Sequence, residues 1–165
     1  MLADALAAST DFDAVVRALR DPAAYPATVA PDPLSGALAL GIAAREQLTA
    51  KAQGLLSAED AGRLLGGISR QAVDKRRQAG QLLGIKLAHD WRYPAVQFGS
   101  NGEVVPGLAA VLEALTDLSP WAILDVLLAE DDALDGMSPL EALFQGDSGL
   151  EQVLRIVRAQ KADVF

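Results

Sequence analysis

The chain has no cysteine among its 165 residues, which excludes disulfides, thiolate zinc sites and cysteine nucleophiles outright. It has one histidine. His89 falls in an expected hairpin turn, with no serine and carboxylate at triad spacing, so no catalytic residue is assigned. Acidic side chains at Glu130-Asp131-Asp132 and Asp135-Gly136 fail the calcium-loop pattern, because Ala133 and Ala142 stand where oxygen ligands are needed. Gly62, Gly66 and Gly67 follow no strand and make no phosphate-binding loop. No metal, no cofactor and no enzymatic activity are therefore expected. Long apolar runs are also missing: no stretch approaches the ~18 uncharged residues of a membrane span, so no membrane partner is expected. Met1 to Ser9 has no basic n-region and holds Asp4, which argues against a secretory signal. With no cysteine to pair, a cytoplasmic location is the expectation.

What is present is an aliphatic, acidic chain, 51% hydrophobic and only 5% aromatic, with a net charge of −8. That composition can bury a core. The charge is strongly segregated. Residues 63–102 hold seven cations (Arg63, Arg70, Lys75, Arg76, Arg77, Lys86 and Arg92) against Asp74 and Asp90, a net of +5. Residues 103–165 hold twelve acids against Arg155, Arg158 and Lys161, a net of −9. A low overall pI thus conceals a basic patch of the kind that meets phosphate.

The expected fold class is mainly α, in three regions. Residues 1–54 read as a helical appendage suited to dimerisation. Phe12, Val15, Val16 and Leu19 share one face of a first helix, capped by Asp11 and stopped at Pro22. Leu34 to Gln53 reads as a second helix, with Leu38, Ile42 and Ala43 on one side. Residues 55–98 read as a small winged helix-turn-helix. Ser57 caps a helix that carries Ala61, Leu64 and Leu65 inward and stops at Gly66-Gly67. Ser69 caps a second helix, Arg70 to about Ala79, ending at Gly80. Leu82 to Leu87 and Trp91 to Tyr93 then suggest a β-hairpin turning at His89-Asp90, with Pro94 ending the pairing. Residues 99–102, Gly-Ser-Asn-Gly, read as a linker that lets the two sides be separated. Residues 103–165 read as a helical domain: a Leu108, Val111, Leu112, Leu115 stripe, a helix from Pro120 to Leu128, a capping box at Ser138-Pro139-Leu140-Glu141, a break at Gly146 to Gly149 and a last helix from Leu150 to about Gln160.

Two helices joined by a short glycine turn match the layout in which the second helix enters the major groove of double-stranded DNA. On a helical wheel Ala72, Val73 and the stem of Arg76 face the first helix. Ser69, Arg70, Gln71, Asp74, Lys75, Arg77 and Gln78 lie on or beside the opposite arc, where Arg suits guanine, Gln suits adenine and the helix start suits phosphate. Lys86 and Arg92 on the wing are placed to touch the DNA backbone or a minor groove. The segment resembles the winged helix-turn-helix of the MerR and phage-excisionase type, through Ser69-Arg70-Gln71-Ala72-Val73 and Trp91-Arg92-Tyr93-Pro94. One recognition helix reads few base pairs, so a homodimer is expected.

From Ser119 onward the chain resembles the toxin-binding domain of Xre/MbcA/ParS-type antitoxins. The matching residues are Ser119-Pro120-Trp121, Leu127-Leu128, Leu134 through Glu141, and Gly149-Leu150-Glu151 followed by Val153-Leu154. That resemblance implies a small helical domain holding a protein toxin of the NAD-degrading RES class, with Trp121, Gly136, Met137, Pro139 and Leu140 as partner-binding residues. Those antitoxins carry a Xre-like helical domain in front, where this chain has a winged segment. The expected function is an antitoxin-like, DNA-binding transcriptional regulator. A regulator or DNA-associated adaptor without a toxin, and an assembly protein that binds no DNA, remain as alternatives.

Overall fold

The computed structural model describes residues 33–162; the helix expected from Phe12 to Leu19 lies outside them. The described chain is mainly helical with one small antiparallel sheet. Helix α1 (Pro33–Lys51) starts on a proline, which needs no hydrogen-bond partner at a first helical position. It ends where Gln53 and Gly54 take positive φ and the Gly54 N–H reaches back to the Thr49 carbonyl at 2.9 Å. Leu38 and Ala43 are exposed and Ile42 half-buried, so that side is not a buried stripe. Residues 47 onward form one compact unit.

Within that unit, β1 (Leu55–Leu56) precedes α2 (Ala58–Leu64) and α3 (Arg70–Gln78). Ser57 and Ser69 cap the two helices as expected, accepting from the Asp60 and Ala72 N–H groups. The turn between them is fixed by the Gly67 and Ile68 N–H groups, both donating to the Gly62 carbonyl at 2.9 and 3.0 Å. Ala61 and Val73 are fully buried at the helix contact. Leu64, expected inward, is 45% exposed. The residues α2 turns inward are Ala58, Ala61, Gly62 and the following Leu65, and Leu64 sits about 110° round the helix from their midline.

The sheet order is β1-β3-β2, with β2 at Ile85–Leu87 and β3 at Asp90–Pro94. The hairpin was expected to turn at His89-Asp90. The observed pairing of Leu87 with Asp90 instead makes Ala88-His89 the two-residue turn, with Ala88 in the left-handed conformation. Leu82 and Leu83 lie outside the strand and are buried as core residues. The hairpin pairing stops before Pro94, its last pair being Ile85 with Arg92, and Pro94 stands instead opposite Leu55 of β1. A partner only two residues long can pair at that position without an N–H from proline. The polar groups left beside it are met by Gln97, 2% exposed. Its amide accepts from the Leu83 N–H (2.9 Å) and donates to the carbonyls of Leu83 (3.0 Å) and Pro94 (3.2 Å).

Four helices complete the described chain: α4 (Leu108–Ala114), α5 (Pro120–Leu128), α6 (Pro139–Leu143) and α7 (Asp147–Ala162). The stripe Leu108, Val111, Leu112, Leu115 is buried as its spacing required. The capping box at Ser138 and Glu141 closes in both directions. Helix α7 starts at Asp147, so no break separates Gly146 from Gly149; Gly149 is buried in its first turn, against the Ala142 carbonyl.

Residues 99–102 form a tight turn rather than a free linker. The Gly99 N–H donates to Glu103 and the Gly102 N–H to Gly99, at 2.7 and 2.9 Å. Gly102 has φ +77° and lies so close to the Leu64 carbonyl that a Cβ would fall 2.2 Å from it. Leu83 and Ile85, beside and within the wing, share one hydrophobic core with Val105, Leu108, Leu124 and Val157. The expectation of two parts that can be cut apart is therefore corrected. The wing and the C-terminal helices bury each other.

Candidate nucleic-acid interface

Helix α3 presents two different faces. Val73 is fully buried, whereas Arg70, Gln71, Lys75 and Gln78 are exposed. Asp74 stands half-buried among them and binds two neighbours. It accepts from Arg77 Nε and Nη2 at 2.9 and 2.6 Å, and from Gln78 Nε2 at 2.6 Å. Arg77 was placed by its spacing on the reading arc, but its side chain is only 18% exposed. Its guanidinium lies 3.8 Å from the centroid of the Trp91 ring. Gly84 makes room for the stem, since a Cβ there would stand 2.5 Å from Arg77 Cδ. Arg77 therefore ties α3 to the wing and is not poised to leave for a base. Trp91, which nothing in the sequence marked as a partner of Arg77, is the platform for this contact.

The structure brings the start of α3 and the wing together. A cleft of about 300 Å³ is lined by Ser57, Arg70, Asp74, His89, Arg92 and Tyr93. Arg70 and Arg92, far apart in sequence, thus share one concavity. His89 and Ser57 join them, although nothing in their local sequence marked either as a contact residue. Arg92 Nη2 lies 3.7 Å from Asp90 Oδ2, a loose pairing. Tyr93 has no exposed surface, and burial pushes its phenol above the ordinary value of 10.0, so it stays neutral. Lys86 is exposed on the wing, with Nζ 5.9 Å from the Trp91 ring centroid. Arg63 differs from these cations, because Glu59 and Asp60 bind it at 2.9 and 2.8 Å. The Ser57 hydroxyl donates to Asp60 at 2.7 Å and is the main reason that carboxyl lies below its ordinary range.

The proposed partner corner is built from the inside. Pro139 and Leu140 are buried and hold the start of α6 in the core, so their side chains offer no surface to a partner. Trp121 is half-buried and packs against the same core. Gly136 is exposed with φ +79°, and the Met137 sulfur accepts from Gln145 Nε2 at 3.1 Å. Phe144, 57% exposed just after α6, is an apolar surface residue that periodicity did not reveal. Glu141 lies below its ordinary carboxyl value because the Ser138 N–H, and then its hydroxyl, donate to it. Among the described residues no group of His, Asp and Glu could hold a metal ion, and no helix is long and apolar enough to cross a membrane.

No protein-family model matches the chain, and no curated protein matches it. Among solved structures the chain is similar to "NMR structure of Rv2175c", with a TM-score of 0.51 and 23% identity, over 67% of this chain and 81% of that one. A likeness at that identity is a likeness of fold.

Proposed function

We propose that the chain is a duplex-DNA-binding regulator that reads the major groove with α3 and touches the backbone with its wing. The observation that carries this reading is the cleft that joins Arg70 at the start of α3 to Arg92 on β3, beside the exposed Gln71, Lys75 and Gln78. Two cations lining one concavity, on a helix-turn-helix with a wing, fit a phosphate backbone and the groove beside it, with Asp74 taken up by Arg77 and Asp90 only loosely paired to Arg92. Asp74 fits a role as internal brace, holding Gln78 and Arg77, rather than as a base contact. In this reading the protein works as a cytoplasmic homodimer. The acidic C-terminal helices, repelled by DNA, leave Gly136, Met137 and Phe144 for a protein partner, a RES-class toxin if the antitoxin resemblance extends to function.

Fluorescence anisotropy with a duplex library tests the reading. Arg70→Ala is expected to relax base preference by about 1–3 kcal/mol. Lys86→Ala is expected to weaken all sequences alike and to lower the slope of log K against log salt by about 0.9. Absence of duplex binding at low salt would sink the proposal.

A further inference from the structure

A second and larger concavity lies on the other flank of α3. It has a volume of about 610 Å³, the size of a site for a small molecule rather than a helix or a strand of nucleic acid. Leu64, Leu65 and Val104 line it with apolar surface, and fully buried Leu108 lies behind them. Leu64 is the residue whose hydrophobic spacing pointed inward but which stands 45% exposed here. Half-buried Arg76 lines the groove, and its guanidinium has no hydrogen-bond or ion-pair partner among the described residues. The carboxylate at the rim, Glu103, receives a hydrogen bond from Asn101 at 2.8 Å. An unpaired cation over aliphatic walls, with one acid at the edge, suits a ligand with one negative charge and an apolar body, and disfavours a polyanion.

We infer that this groove binds a small amphipathic monocarboxylate, its carboxyl group on Arg76 and its chain along Leu64, Leu65 and Val104. Arg76 and Gln78, two residues apart, point about 160° away from each other on α3. The ligand therefore sits behind the helix, opposite the arc proposed for DNA. Its walls come from the helix-turn-helix on one side and from the segment entering α4 on the other, so occupancy links the setting of α3 to the C-terminal helices. That coupling rests on the DNA-binding reading; the binding itself does not.

The test is an amide chemical-shift titration of the full chain with octanoate, beside octanamide as the uncharged control. Saturable shifts are expected at Leu64 to Gly66 and Val104 to Ala109, with octanamide binding far more weakly. Arg76→Gln should weaken octanoate roughly tenfold, about 1.4 kcal/mol. Ala109→Trp, at an exposed lining position, should block the groove with Arg76 intact. No saturable shift at these residues, or equal affinity for octanamide, or octanoate binding unchanged by both variants, would overturn the assignment. Duplex binding is then measured with and without saturating octanoate, and a severalfold change in affinity is expected. Unchanged affinity would refute the coupling. A protein that binds octanoate here and binds no duplex at all would refute the proposed function and leave the groove standing.

Discussion

Replacing Arg77 by alanine separates a strut from a DNA contact. Three things are lost in the folded protein. The stacking of a guanidinium at 3.8 Å on Trp91 contributes about 1 kcal/mol at a partly desolvated site. The ion pair with Asp74, whose side chain is 39% exposed, contributes at most about 0.5 kcal/mol after solvent screening. The methylenes over Gly84 contribute about 0.8 kcal/mol for each one buried. The expected loss is about 2–3 kcal/mol, or roughly 1–2 M in the urea midpoint. Arg77→Lys keeps the charge and gives up the planar stack and the fork, so it should recover little of this. Under conditions where both variants remain folded, the salt slope of duplex binding should be that of the unaltered protein. Arg92→Ala should reduce it by about 0.9, and Arg70→Ala should relax base preference instead, each with a small change in midpoint. An Arg77→Ala protein with an unchanged urea midpoint and a reduced salt slope would refute the reasoning and return Arg77 to the reading surface.

Gln97→Leu removes an amide that serves three backbone groups; each buried group left unpaired costs about 1–3 kcal/mol, so a loss of about 3 kcal/mol is expected by urea denaturation. Glu141 is held below its ordinary value of 4.5 by Ser138. Its folded value is thus the lower one, so its stabilising contribution is complete above 4.5 and is lost as pH falls through the folded value; Glu141→Gln should flatten this part of the melting-temperature profile between neutral and acid pH. A chain stopped at Gly102 should fail to give cooperative unfolding or dispersed amide signals, because Leu83 and Ile85 would lose their partners in the shared core; a cooperative transition in that fragment would show that the two sides do stand alone.

The helices of the described chain were legible wherever a cap and a stripe coincided. Ser57, Ser69 and Ser138 announce their helices, and the Leu108 to Leu115 stripe its buried face, because these signals act within one turn. Strand β1 was not legible, since two leucines show no alternation, and its partner Pro94 looked like a terminator. The two sides of α3 were separable by wheel geometry, but the fate of Arg77 was not. That depends on Trp91, fourteen residues away in sequence, and on the space left by Gly84. The 99–102 turn misled in the same way. Glycine, serine and asparagine favour both a mobile linker and a tight corner, and only the Leu64 carbonyl beside Gly102 distinguishes them.

The sheet order has a consequence for how the molecule is made. Strand β1 pairs with Tyr93 and Pro94, so its leucines have no partner on a growing chain until both helices and the hairpin have left the ribosome. The hairpin then still lacks the α4 to α7 side chains that cover Leu83 and Ile85. Contacts of such sequence separation form slowly and late. A nascent chain that has emerged only to the wing therefore holds the proposed reading residues without the surface that orients them, and in the proposed reading it can dock on DNA only after α7 has emerged.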